Sequence, residues 1–132
     1  MKPDITEAEP ILQEFWKIAK TRYEASFFDR VVELTCVHRT PEEQQALYAK
    51  GRTMPGDKVT NIDGVTKKSK HNFSPSRAID VVVKGRFSGK AFWTRAYYDP
   101  LRAILKNEGY EDKITWGGDF KSIEDCPHFE MK

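Results

Sequence analysis

Apolar residues in the first third of the chain recur at helical spacing. Ile11, Leu12, Phe15, Trp16, Ile18, Ala19 and Tyr23 recur at three- and four-residue intervals, which predicts an amphipathic helix over Glu9 to Tyr23 with this stripe in a core. The period then changes. VVELTCV is β-branched and alternating, so Val31 to His38 is expected as a strand. Thr40-Pro41-Glu42-Glu43 places a capping threonine before a proline and two acids, the start signal of a second helix through Gln44, Leu47 and Tyr48 to about Gly51.

Residues 51–77 hold no period. Three glycines, two prolines and many polar side chains predict a long loop, with a short hairpin at Asn61 to Gly64. A loop of that length in a compact domain points to function. Ala78 to Val83 is apolar apart from Asp80 and reads as a strand buried on both faces. Gly89 to Gly109 carries Phe92, Trp93, Ala96, Tyr97, Leu101, Ile104 and Leu105, predicting a helix that Pro100 breaks or kinks. Ile114 to Trp116 and Pro127 to Met131 read as short strands around the turn-rich GGDFKSIEDC. Helices and strands mix without regular alternation, so the expected class is α+β, with a small, largely antiparallel sheet flanked by helices.

Length and composition narrow the class further. The 132 residues suit one domain, expected to span 1–132, with one site. With 39% apolar and 32% charged residues, neither a disordered nor a fibrous chain is expected. No stretch approaches the ~18 apolar residues of a membrane span, so membrane insertion is not expected. MKPDITEAEP lacks the charged start and apolar middle of a secretory signal, which leads to the expectation of a chain made in the cytoplasm. The net charge of +2 comes from scattered basic residues, which argues against a nucleic-acid partner. A monomer is expected. Cys36 and Cys126 do not make a disulfide framework and are expected as reduced, structural thiols.

Candidate chemistry rests on the scarce histidines. A catalytic zinc takes three protein ligands from His, Asp, Glu or Cys and keeps one position for water. His71 lies in the long loop, Asp80 opens the strand nine residues later, and His128 sits in the C-terminal PHFE. His38, after a strand, reads on its own as structural. Asp125 lies three residues before His128. A carboxylate beside a metal-bound water can take its proton, and an aspartate before Pro127 can equally cap a turn. Spacing leaves both open.

Taken in order, SKH...RAID, WGGDF and DCPHFE resemble the zinc peptidases that cleave peptidoglycan stem peptides, the group of VanY-type D-alanyl-D-alanine carboxypeptidases and phage L-alanyl-D-glutamate endopeptidases. Upstream, HRTPEEQQALYAKGR is similar to that family's G-Y-R-S-x-x-E-Q-x-x-L-Y-x-x-G-R segment. The resemblance covers roughly residues 31 to 131, and four ordered motifs are far more specific than any one. It implies the hedgehog/DD-peptidase fold, zinc on His71, Asp80 and His128, Asp125 as general base, and Arg39 as the cation for a substrate carboxylate or the developing oxyanion. Ser69 and Gln44 fall on positions expected to bind or orient substrate. Trp116, in the segment that borders the family's cleft, is also expected to bind substrate, although an aromatic in this setting is more often core.

The chain departs from the family in three places. Ser74-Pro75-Ser76 replaces the usual turn glycine between the first two ligands, a longer version that resembles some phage members. Cys36 and His38 stand where small and aromatic residues are usual, and Phe120 replaces the second tryptophan of W-G-G-D-W. The implied function is a phage lysin endopeptidase acting on the cell wall after release. The alternatives are a D-alanyl-D-alanine carboxypeptidase and a non-catalytic, zinc-stabilised wall-binding module.

Overall fold

The computed structural model describes residues 2–132. Three helices and five strands form, in the order α1 (Pro10–Ser26), β1 (Arg30–Cys36), α2 (Pro41–Ala49), β2 (Ala78–Gly85), β3 (Ala91–Phe92), α3 (Asp99–Asn107), β4 (Ile114–Trp116) and β5 (His128–Met131). The sheet is antiparallel, in the order β1-β2-β5-β4, with β3 also paired to β2. The expected α+β class and mostly antiparallel sheet are what form. Among the described residues no helix is long and apolar enough to cross a membrane.

The two sides of β2 divide the work. Ile79, Val81 and Val83 join the core with Leu12, Phe15, Ala19 and Tyr23 of α1, Leu101 and Leu105 of α3, and Phe129 of β5. These four residues of α1 are the buried part of the stripe. Side chains alternate along a strand, so Asp80 faces the other way, and β5 repeats the arrangement, with Phe129 in the core and His128 and Glu130 on the side of Asp80. The central strand is therefore hydrophobic toward the helices and chemical toward the opposite face.

Two local expectations change. Pro100 neither breaks nor kinks a helix: it lies in the first turn of α3, where a missing N–H costs nothing. The apolar residues before it form β3 and a short 3-10 turn, Arg95–Tyr97. No hairpin forms at Asn61 to Gly64. Instead, Asp63 Oδ1 accepts hydrogen bonds from the backbone N–H groups of Val65, Thr66 and Lys67 at 2.9, 2.9 and 3.2 Å, closing a turn through its own side chain. The second helix is α2, with the expected threonine cap: Thr40 Oγ1 accepts from Glu43 N, and Glu43 returns a bond to Thr40 N.

Candidate metal centre and active site

Sheet register brings the chemistry into line. Cys36 on β1 and His128 on β5 both pair with Asp80 on β2, so the three residues form a row across adjacent strands. The register between β1 and β2 shifts between Leu34 and Cys36, where Thr35 is the extra residue of a bulge that lets Cys36, and not Thr35, stand opposite Asp80. His71 reaches the row from the loop on a 3-10 turn, Lys70–Asn72, capped by Ser69. That turn is tied down: Arg39 N donates to His71 O at 2.9 Å, and Asn72 Nδ2 donates to Arg39 O at 2.9 Å.

Hydrogen bonds set which nitrogen each histidine offers. His71 Nδ1 lies 2.7 Å from the Val37 carbonyl oxygen, which can only accept, so Nδ1 carries the hydrogen and Nε2 is left with the lone pair. Ser76 Oγ lies 2.7 Å from the same carbonyl, so the extra Ser-Pro-Ser turn is stitched to the group that orients His71. His128 Nε2 lies 2.8 Å from Glu130 Oε1, which likewise leaves Nδ1 as the free nitrogen. Both free nitrogens face one carboxylate, His71 Nε2 at 3.2 Å from Asp80 Oδ2 and His128 Nδ1 at 2.8 Å from Oδ1.

This convergence demands a cation. Two imidazole lone pairs against a carboxylate repel unless a proton or metal ion lies among them. Without a metal, protons fill the role. Burial lowers the pKa of each histidine, but hydrogen bonds and the charge of Asp80 outweigh it, raising His71 to about 10 and His128 to about 9. For Asp80, burial raises the pKa, but the two histidines beside it, His128 first, prevail and hold it well below the usual range. His71 is only 2% exposed, and its Nε2 has no aligned hydrogen-bond partner despite the nearby Asp80 oxygen. An orphaned buried nitrogen is costly, and a metal ion would satisfy it. Two imidazoles and a carboxylate suit a catalytic zinc, and Val37 O and Glu130 are the kind of outer partners that orient such ligands. Potential ligand atoms gather around Asp80 in two groups, one with Cys36 and His71 and one with Asp125 and His128, each within 4.8 Å of one another, and these donors fit a metal.

The other expected residues separate into cavity and support. Arg39, Ser69, His71, Asp80, Asp125 and His128 line one cavity of about 550 Å3. A carboxylate oxygen of Asp125 lies within 4.8 Å of potential ligand atoms of Asp80 and His128. Although Asp125 is exposed overall, partial desolvation of its carboxyl raises the pKa above the usual aspartate value, ahead of the opposing pull of His128. Arg39 is held by Gln44 Oε1 at 2.8 Å and Cys36 Sγ at 3.4 Å and stands 3.9 Å from Asp80 Oδ2. Gln44, 1% exposed, contacts Arg39 and the carbonyl of Ile62 at 2.8 Å and does not line the cavity. Trp116, 1% exposed, is also outside its lining: it packs in the core and donates its indole N–H to Cys126 O at 2.7 Å. His38 is apart from the cavity as well. Glu130 and Cys36 were not among the expected site residues. Glu130 could have been found from its position two residues after His128, on the same face of a strand; the role of Cys36 depends on the bulge.

Residues 63–131 match the model of the family described as D-alanyl-D-alanine carboxypeptidase. The chain belongs to this family. Peptidoglycan L-alanyl-D-glutamate endopeptidase CwlK of Bacillus subtilis is 34% identical over 109 residues, a match that covers 76% of this chain and 60% of CwlK. The chain thus spans about 60% of the length of that curated relative. The crystal structure of the L-Ala D-Glu endopeptidase ChiX of Serratia marcescens superposes with a TM-score of 0.69 at 21% identity, over 97% of this chain and 83% of ChiX. ChiX therefore shares the fold.

Proposed function

We propose that this protein is a zinc peptidase that hydrolyses peptidoglycan stem peptides between L-alanine and D-glutamate. The observation that carries the reading is the meeting of His71, Asp80 and His128 in the same open cavity as Asp125 and Arg39. The names of CwlK and ChiX supply the bond. Zinc, when bound by His71, Asp80 and His128, supplies Lewis-acid polarisation and makes a nucleophile available at neutral pH.

The remaining roles belong to the chain. Asp125 accepts the proton of the attacking water and returns it to the departing amine, a task helped by a carboxyl pKa raised toward working pH. Arg39 presents a fixed positive charge to the negative oxygen or to a substrate carboxylate, because Gln44 and Cys36 hold its guanidinium. Ser69 keeps His71 in place by accepting from its backbone N–H at 3.2 Å. Hydrolysis adds one water across the amide, giving a new carboxyl on alanine and a free amine on glutamate.

The longer stretch between His71 and Asp80 supports the phage-lysin version of this function, in which a monomeric enzyme acts on the wall after release. Digestion of purified peptidoglycan, with zinc and with chelator, tests the reading by mass analysis of the fragments. New alanine carboxyl ends that vanish with chelator are expected. Free D-alanine would instead establish a carboxypeptidase, and no release with zinc present would leave a wall-binding module.

A further inference from the structure

The cavity carries more positive charge than its chemistry uses. Arg39, Lys67, Lys68 and Lys70 all line it. Arg39 is committed to Gln44 and Cys36, and Lys70 Nζ donates to Met131 O at 2.9 Å. Lys67 and Lys68 are exposed and make no ion pair among the described residues. Lys68 lies over the Phe73 ring, 5.1 Å from its centre.

The segment bearing these lysines is anchored to the catalytic side. Asp63 closes the turn by accepting from Lys67 N, and Gly64 N donates to Lys67 O at 3.0 Å. Gly64 adopts a left-handed φ of +81°, and a Cβ there would come 2.9 Å from Gln44 Cβ. Gln44 also grips Ile62 O while holding Arg39. One buried side chain therefore sets the spacing between Arg39 and the turn that carries Lys67.

We propose that Lys67 and Lys68 form an anion-recognition wall that reads a free carboxylate on the leaving side of the scissile bond, so that the enzyme prefers acidic stem peptides over amidated ones. The proposal rests on the endopeptidase reading. A glutamyl residue whose amine is released has two carboxyls, and the chain continues through only one. The other is either a free carboxylate beside the reaction centre or an amide. Two unpaired ammonium groups at the cleft attract the first and gain little from the second.

The test compares two synthetic stem peptides, identical except that the glutamate's free carboxyl is amidated in one. Zinc-loaded wild type is expected to show a KM about five-fold or more lower for the acidic peptide, the scale of one or two exposed ion pairs. That preference should shrink as salt rises. Lys67→Gln/Lys68→Gln should raise KM for the acidic peptide to that of the amide, leave kcat and the amide kinetics unchanged, and unfold at the wild-type temperature. Equal KM values in wild type, or a preference that survives in the double variant, would overturn the proposal. Cleavage of both peptides without preference defeats this inference alone, whereas cleavage of neither defeats the endopeptidase reading and this inference with it.

Discussion

Replacing Gly117 by alanine adds one methyl group where the turn bearing Asp125 meets β5. A Cβ on Gly117 would lie 2.1 Å from the carbonyl oxygen of Asp125 and 3.0 Å from His128 Cβ. Gly117 does not have a positive φ, so the cost is steric and not torsional. The nearest obstacle is backbone, which cannot rotate aside. Relief requires the 117–125 turn to open, and that turn is closed by Asp125 N donating to Gly117 O at 2.9 Å. Overpacking of this kind costs about 1–3 kcal/mol, and loss of the hydrogen bond adds about 1 kcal/mol. At roughly 4 °C per kcal/mol for a domain of this size, Tm should fall by about 8–16 °C. Displacing Asp125 by even ~1 Å should lower kcat about 100-fold. Thermal unfolding and peptide turnover on the same preparation measure both effects. A Gly117→Ala enzyme with wild-type Tm and kcat would refute the argument that Gly117 is needed so that Asp125 can approach this closely.

Further tests probe the supports. Gln44→Ala removes the acceptor for Arg39 and the donor to Ile62 O; it should cost about 1–3 kcal/mol in denaturant unfolding and lower turnover at least 10-fold, and unchanged turnover would show that Arg39 needs no such clamp. Trp116→Phe removes the buried bond to Cys126 O; stability should fall by about 1–2 kcal/mol with KM unchanged, whereas a raised KM on a stable protein would restore a substrate role. Asp63, with its pKa lowered to about 2, chiefly by its bonds to Thr66 and Val65, contributes stability above the ordinary aspartate pKa that is lost as pH falls through about 2. The Tm gap between wild type and Asp63→Asn should therefore be constant near pH 6 and close between pH 4 and 2; a gap that widens toward acid would contradict the sign.

Much of this architecture is legible in local pattern. The stripe through Leu12, Phe15, Ala19 and Tyr23 gives α1, and Thr40-Pro41 with Glu43 gives the start of α2, because each signal involves only neighbours in sequence. The apolar stretch after Gly89 misleads because its residues serve β3, a 3-10 turn and α3 in succession, and Pro100 marks a beginning there. The four ordered motifs bring His71, Asp80, Asp125 and His128 into view together. Other features depend on contacts between distant residues. The bulge at Thr35 that lines Cys36 up with Asp80, the stitch from Ser76 to the carbonyl orienting His71, and the clamp from Gln44 to both Arg39 and Ile62 exist only once β1, β2, α2 and the long loop assemble.

Zinc content set against turnover in single variants separates the three ligands from the base. Wild type and Asp125→Ala should each bind one zinc per chain by elemental analysis after dialysis, with turnover abolished only in the variant. His71→Ala and His128→Ala should lose both the metal and the turnover. Full turnover in Asp125→Ala, or a full complement of tightly held zinc in His128→Ala, would contradict the assignment of three ligands and one base.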